Sequence, residues 1–494
     1  MTSELIREPA LYIGGSWVPG GGSECEVEDP STEKTTGLVT RASATDVDQA
    51  VAAARDAFEG WRATPVDDRV KALRRLHDVI SDRANRFAAL ITREQGSPPP
   101  LARSLHVDTP LNVIAKTADA LEEFPFHQRR DGSVILREPV GVVAAITPWT
   151  MPLHQIVMKM VPALAAGCTV VLKPAALTPL TAFELARAVD AADFPPGVFN
   201  LVTGGGREIG DQLCRHPLID HVSFTGSARV GRQVAAAAAT TVKGLTLELG
   251  GKSASVVLSD VSDDLLAKAV ELTVASCFLN AGQTSTALSR LIVPEARQPQ
   301  VEELAAAEAA KYVPGKQLGP LISAGQRFVV EGYLEPGLAK TITGTVELPA
   351  KGYYVTPTVY SEVDPDSYLA QDEIFGPVLS ILTAESDDHA IQLANNAIYG
   401  PGRALWIEDA DRALDWAAQI RAGQIDVNAA PFNPAPPSAA TSISASAVRS
   451  PITGSTTCSS SRRCSCDRRI SRQGRRRCCP ARWTKPYAKS SPRV

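Results

Sequence analysis

Three short segments carry side chains and turns from which chemistry could be built. Glu248 closes the apolar run Leu245–Leu249 and is followed by Gly250-Gly251-Lys252. A carboxylate at the end of such a run loses hydration, and its pKa rises towards the range of a general base. The same setting also suits a paired structural glutamate. The stretch Gly226-Ser227-Ala228-Arg229-Val230-Gly231 follows the apolar run His221–Phe224 and opens a helical stretch through Gln233–Ala239. Glycine there permits a tight turn, and a helix N-terminus suits an anion such as a phosphate. The spacing is not GxGxxG, so a plain strand-to-helix turn fits equally well. Lys173-Pro174 ends a third run, at the carboxyl edge where α/β sheets bind ligands. A solvated surface lysine is the competing reading.

The elements that must position these groups alternate. "DVDQAVAAARDAFEGW" places Val47, Val51, Ala54 and Phe58 on one helical face, with an N-cap in the Ser43 to Val47 stretch. A second helix is expected from Asp68 to Glu94, with Leu73, Leu76, Val79 and Ile80 as its apolar stripe. "GSVILREPVGVVAAITPW" reads as strand, turn, strand. "GVVAAI", "CTVVLKP", "HVSFTG" and "LTLELGG" are short runs of the kind buried on both faces, with helices expected over Pro152–Ala166 and Thr181–Ala192. Strand-helix alternation predicts a parallel, doubly wound α/β sheet.

Composition bounds the function. The chain has 494 residues, 44% of them hydrophobic, which predicts roughly three domains and ample core. A net charge of -4 offers no basic footprint for nucleic acid. No unbroken apolar run approaches the roughly 18 residues of a membrane helix, and the start of the chain lacks a secretory h-region. The expectation is a cytoplasmic protein without nucleic-acid or membrane partners. Residues 436–494 stand apart, with 13 Lys and Arg against the single acid Asp467. Five of the nine cysteines also lie there; Cys25, Cys168, Cys214 and Cys277 are widely spaced and fit reduced thiols.

Seven motifs in order resemble the aldehyde dehydrogenase superfamily over roughly residues 10–435: "ITPW" at 146–149, "PALAAGCTVVLKP" at 162–174, "FTGS" at 224–227, "ELGGK" at 248–252, "GQ" at 282–283 with Arg290 downstream, "GPLIS" at 319–323 and "EIFGPV" at 373–378. The resemblance implies a Rossmann-like cofactor domain over 1–123 and 141–247, an α/β catalytic domain over 248–425, and a small β oligomerisation arm from 124–140 and 426–494. It implies NAD or NADP as cofactor and an aldehyde as substrate. A nucleophile attacks the aldehyde, a hydride leaves to nicotinamide, and water hydrolyses the acyl intermediate. By the same resemblance Lys173 binds the adenosine ribose, and Gly226 and Ser227 approach the pyrophosphate with Trp149 nearby. Glu373 holds the nicotinamide ribose beside Phe375, Leu249 lines the cofactor site, and Glu248 activates the deacylating water.

Three departures from the family pattern matter. The nucleophile position, two residues after Gln283 and five before Arg290, holds Ser285 instead of cysteine. A thiol is a few per cent thiolate at neutral pH, whereas a serine hydroxyl needs a dedicated base. Cys277, eight residues upstream, reads as a buried structural thiol. Thr150 replaces the asparagine that donates to the oxyanion, and loss of such a donor costs roughly 10²–10³ in rate. Ala176 replaces a glutamate at the ribose 2′-hydroxyl, which lowers the repulsion towards a 2′-phosphate. A catalytically weak dinucleotide-binding chain is the second reading. A serine hydrolase with Glu248 as base is the third, and it lacks an assigned histidine.

The end of the chain is the largest departure. Codons for the family's Phe-Gly-Gly-Tyr-Lys, read one nucleotide later, give the sequence Ser438–Ser442. Codons for Ile452–Ser459, read one nucleotide earlier, give Tyr-Gly-Leu-His-Asp-Val-Leu, with the tyrosine at position 453, in the family's spacing. The chain therefore leaves the family's frame near residues 434–438, and residues 436–494 are expected to be aberrant and disordered, with homo-oligomer assembly compromised. Sequencing the gene across these codons is expected to find both family segments in the shifted frame. Their absence would refute the frameshift.

Overall fold

The computed structural model describes residues 4–130, 132–335, 337–400, 402–429 and a short strand at 463–466. Seven strands build the first sheet: β1 (Ala10–Ile13), β2 (Ser16–Pro19), β3 (Val142–Ile146), β4 (Thr169–Lys173), β5 (Phe199–Leu201), β6 (His221–Thr225) and β7 (Gly244–Glu248). Their spatial order is β7-β6-β3-β4-β5-β1-β2, parallel from β7 to β5 and antiparallel at β1 and β2. The connections after β3 and β6 run in opposite directions, so a crevice opens at the carboxyl ends of those two strands. All of β3 and β4 is buried, as their unbroken apolar runs require.

Helices form where the periodicity predicts them, with one break. α1 (Ala44–Arg62) starts on a capping box between Ser43 and Asp46, and Val47, Val51, Ala54 and Phe58 are buried. The expected second helix is two: α2 (Val66–Asp82) and α3 (Ala84–Gln95). The Arg83 amide bonds the carbonyls of Val79 and Ile80, which tightens the last turn. No proline or glycine in the sequence signals that break. Leu73, Leu76 and Ile80 are fully buried, while Val79 packs at the margin. α4 (Pro152–Ala166) and the helix Leu180–Ala191 lie as expected. α5 (Ala228–Ala239) begins directly after Ser227. The two strands read from "GSVILREPVGVVAAITPW" belong to different sheets. Ser133–Leu136 pairs with His127–Arg130 in a separate hairpin, leaving Val134, Ile135 and Leu136 exposed.

The second sheet has eight strands: β8 (Ala254–Val257), β9 (Arg290–Pro294), β10 (Lys340–Thr341), β11 (Thr358–Ser361), β12 (Val378–Ala384), β13 (Gly402–Trp406), β14 (Gln424–Val427) and β15 (Arg463–Cys466), in the order β10-β11-β12-β9-β8-β13-β14-β15. All neighbours are parallel except β10 and β11. The strand β14 runs through residue 425, so a catalytic-domain boundary there would cut this sheet. The expected disorder of 436–494 lies outside the described residues, except at 463–466. There β15 adds a parallel edge strand to β14 instead of lacking structure.

α6 (Asp263–Phe278) crosses beneath this sheet. With its extension to Gly282 it is 20 residues long, and its most apolar 18 residues have a mean hydropathy of 1.3, enough by length and composition alone to cross a membrane, although Lys268 and Glu271 interrupt the apolar run. Its buried face, from Leu266 to Phe278, packs into the core with β8, β9 and β12. Two arginines without carboxylate partners among the described residues lie at the end of a later helix, α7 (Asp387–Asn395). Arg290 is 1% exposed and donates to the carbonyls of Leu393 at 3.0 Å and Ala394 at 3.0 Å, and to Lys252 at 3.2 Å. Arg403 donates to Tyr399 at 2.9 Å. The bonds to Leu393 and Ala394 satisfy carbonyls that the last turn of α7 leaves open. Replacing Arg290 by Met strands those carbonyls in the core and is expected to cost about 3 kcal/mol of unfolding free energy in urea denaturation. A loss under about 1 kcal/mol would overturn this assignment.

Candidate active site

The carboxyl edge of the first sheet supplies four segments. After β3 the chain continues as Thr147-Pro148-Trp149-Thr150, and the Thr147 amide bonds the Lys173 carbonyl at 3.1 Å across to β4. Lys173 is 4% exposed, which removes the solvated-lysine reading. Its Nζ donates to the Pro174 carbonyl at 2.9 Å, and burial lowers its pKa to about 8. After β6 comes Gly226, whose amide donates to the Glu248 carbonyl at 3.0 Å. Ser227 caps α5, its hydroxyl accepting from the Val230 amide at 3.4 Å. Glu248 ends β7 opposite Thr225, half-buried, and Leu249 is buried against the first turn of α5 at Gly231.

The second sheet answers with the opposite ends of its strands. The segments carrying Gly250-Gly251, Ser285 and Glu373 each lie just before the amino end of β8, β9 and β12, which are neighbours. Glu373 accepts from the Gly251 amide at 2.8 Å. It lies so close over Gly250 that a Cβ there would overlap its carboxylate. Burial pushes the Glu373 carboxyl up to about 7, against the pull of the Gly251 bond and the Lys252 charge. Lys252 is fully buried, its Nζ has no hydrogen-bond partner among the described residues, and burial followed by the Arg290 charge lowers it to about 7. Phe375 adopts a left-handed φ of 61° and meets Trp149 edge-on, ring centroids 5.5 Å apart.

Ser285 lies on a turn after α6. Asn280, Ala281 and Gly282 take φ of 54°, 56° and 75° in succession. Gly282 is required there, since a Cβ would overlap the Gly376 carbonyl. Gln283 is fully buried; its amide donates to the Asn280 carbonyl at 3.1 Å and accepts from the Ile322 amide at 2.9 Å. "GQ", "EIFGPV" and "GPLIS" are thus one packed unit. Ser285 itself is half-buried, and among the described residues its hydroxyl has no hydrogen-bond partner. Cys277 is fully buried, donates to the Val378 carbonyl at 3.3 Å and is pushed up to about 12, as a structural thiol should be.

The predicted residues therefore divide. Trp149 with Phe375, Gly226 with Glu248, and Glu373 with the Gly250-Gly251 turn are in contact. Lys173 stands apart, joined through Thr147, and Ser285 is bonded to neither glutamate. Sequence reasoning missed Gln326, which donates to the Phe375 carbonyl at 3.4 Å from the helix α8 (Ala324–Glu331). It also missed Gln95, His106 and Asn280, which lie buried behind the Ser285 turn. The only signal for Asn280 was its place two residues before the Gly282-Gln283 pair.

Residues 17–443 match the profile described as the Aldehyde dehydrogenase family. A 3-succinoylsemialdehyde-pyridine dehydrogenase of a Pseudomonas species is 41% identical over 434 residues, covering 85% of this chain and 90% of its own. A geranial dehydrogenase of Castellaniella defragrans is 37% identical, covering 86% and 91%. Among solved structures, an aldehyde dehydrogenase C mutant of Pseudomonas syringae with NAD+ and octanal superposes at a TM-score of 0.86 with 41% identity, covering 89% of this chain and 93% of its own. The Mycobacterium tuberculosis aldehyde dehydrogenase with NAD+ gives 0.85 and 37%, covering 90% and 95%.

The two buried titrations at the Gly250 turn have opposite signs. Glu373 titrates near 7 when folded against an ordinary 4.5, so its contribution is full below about 4.5 and is lost as pH rises through 7. Lys252 titrates near 7 against 10.5, so its contribution is full above 10.5 and is lost as pH falls through 7. Glu373→Gln removes the first effect and the smaller upward pull of the Glu373 charge on Lys252. Between pH 5 and 8 the parent is expected to lose roughly 2 kcal/mol relative to this variant in denaturation curves. A difference independent of pH would show that Glu373 is not held in this environment.

Proposed function

Because the chain belongs to the aldehyde dehydrogenase family, we propose that its own site oxidises an aldehyde to a carboxylic acid through a covalent adduct on Ser285, with NAD+ or NADP+ as hydride acceptor. The supporting observation is the convergence at Gly250-Gly251. The phosphate turn bonds Glu248 there, and the Glu373 carboxylate seats on the next amide.

The residues fit a dinucleotide. Ser227 caps a helix of 12 residues whose N-terminus favours a pyrophosphate. Lys173 is a buried ammonium with one carbonyl partner, which suits a ribose hydroxyl. Glu373 accepts from ribose hydroxyls at the nicotinamide end, and Phe375, Trp149 and Leu249 exclude water there. The bound nicotinamide supplies the hydride acceptor. Ala176 is exposed at the end of β4, so a 2′-phosphate meets no carboxylate at that position.

As the Ser285 oxygen bonds the aldehyde carbon, its hydroxyl proton passes to water and the carbonyl π pair moves to the oxygen, to which Thr150 donates; the hydride of that carbon would then pass to the bound nicotinamide. Glu248 takes a proton from the water that releases the acid. Since Ser285 has no bonded base, attack is slow, and the chain as it stands binds cofactor better than it turns over. The same absence of a bonded imidazole disfavours the serine hydrolase reading. In this reading residues 1–123 and 141–247 hold the cofactor, and those from 248 to the strand ending at Val427 carry the chemistry. The hairpin with exposed Val134 and Leu136 mediates assembly in the cytoplasm, weakened by the altered tail.

The test is reduction of NAD+ or NADP+ at 340 nm with octanal and a panel of other aldehydes, for the parent and for Ser285→Cys. The thiol variant is expected to turn over at least about 10²-fold faster. No NADH or NADPH from Ser285→Cys with any aldehyde would defeat this function.

A further inference from the structure

Behind the Ser285 turn lies a buried amide chain that links the two sheets. Asn280 is 4% exposed, and its Nδ2 donates to the Thr150 carbonyl at 2.9 Å and to the Gln283 carbonyl at 3.3 Å. Its Oδ1 accepts from Nε2 of Gln95, at the end of α3, at 2.9 Å. That bond fixes which face of the Asn280 amide meets Thr150. The backbone at Asn280 is left-handed, a conformation in which asparagine is tolerated better than other residues with a side chain. His106 packs at the same point, fully buried. The Asn280 amide approaches its ring outside hydrogen-bonding geometry, and burial holds the ring neutral with a pKa of about 3. The π-helical turn Ser104–Asp108 carries that histidine.

We infer that Asn280 is a positioning residue, which through its amide sets the Thr150 loop of one sheet against the Ser285 turn of the other. This rests on the proposed aldehyde chemistry, in which Thr150 and Ser285 act on the same carbon. A reacting centre tolerates little error, since displacement by about 1 Å costs on the order of 10²-fold in rate. The two groups come from different sheets, so packing within either one cannot set their separation. The Asn280 amide bridges that gap directly. Asp at this position keeps the shape and the Gln95 bond but turns an acceptor towards the Thr150 carbonyl. Gly keeps the left-handed backbone and deletes the amide.

The test uses the full chain with Ser285→Cys as a reporter. Asn280→Asp and Asn280→Gly are each placed in that background. Four quantities are read: kcat and KM with octanal, NAD+ affinity by Trp149 fluorescence, melting temperature, and iodoacetamide alkylation of position 285, resolved by peptide mass spectrometry. The expected result is a kcat at least about 30-fold lower in Asn280→Asp, with KM and NAD+ affinity within about twofold and little change in melting. Alkylation at position 285 changes at least fivefold in both variants. Unchanged kcat and alkylation would overturn the assignment, as would parallel collapse of melting temperature, NAD+ affinity and kcat, which marks a purely structural role. If Ser285→Cys oxidises no aldehyde, the proposed function fails while alkylation still reads the turn: a fivefold change supports Asn280, an unchanged rate rejects it.

Discussion

The site depends on one short crossing. The chain leaves the carboxyl end of β7 at Glu248 and enters the amino end of β8 at Ala254. Five intervening residues span too little distance for the second sheet to turn away from the first. The carboxyl edge of one sheet must therefore face the amino edge of the other. This places the Gly226 turn and Trp149 on one side of the cleft, and the Glu373 and Ser285 segments on the other. The usual rule that α/β ligands gather at carboxyl ends holds for the first sheet only. The second sheet contributes loops that precede its strands.

That crossing carries an electrostatic burden. Lys252, Arg290 and Arg403 are all buried near the amino ends of the second sheet, and none forms an ion pair with a carboxylate among the described residues. The arginines donate to carbonyls, Arg290 at the end of α7 and at Lys252, Arg403 at Tyr399, while Arg403 Nε has no partner among the described residues. Lys252 has no such cradle, and its nearest acidic influences include Asp372 and Glu373. The Glu373 carboxylate is thus held between a backbone amide and a buried cation, on the turn that joins the sheets. Its position is fixed by packing before any ligand arrives, which is how a binding carboxylate avoids the entropy of being ordered.

Much of this was legible in residue order. Continuous apolar runs gave β3 and β4, and three- and four-residue spacing gave α1 and α4; β6 and β7 form as strands but, contrary to expectation, are buried on one face only or at the sheet edge. Most of the seven motifs lie where a strand ends or begins at the cleft, whereas GPLIS leads into the helix Ala324–Glu331. What stayed hidden has physical reasons. The break at Arg83 is made by hydrogen bonds that any residue can form, so no residue type announces it. The Asn280 clasp joins residues 95, 150 and 280, which no local pattern connects. The left-handed φ at Phe375 opposes its intrinsic preference and is imposed by surrounding contacts, among them Trp149 and Gln326. The edge strand at 463–466 arises in a segment whose composition argued for none.

On the proposed reading, the Ser285 turn separates what holds the scaffold from what the chemistry needs. Every support of the turn is in place: the left-handed run from Asn280, the Gly282 contact with Gly376, and the Gln283 bridge to Ile322. None of these contacts involves the side chain at position 285, so a serine there costs the fold little. In the proposed reaction nucleophilicity depends on that side chain alone, and a hydroxyl with no bonded base among the described residues offers little of it. Stability and binding are spread over many residues of this cleft, whereas bond formation is concentrated in one. A single replacement can therefore leave the cleft folded and fitted for a dinucleotide while removing most of its rate.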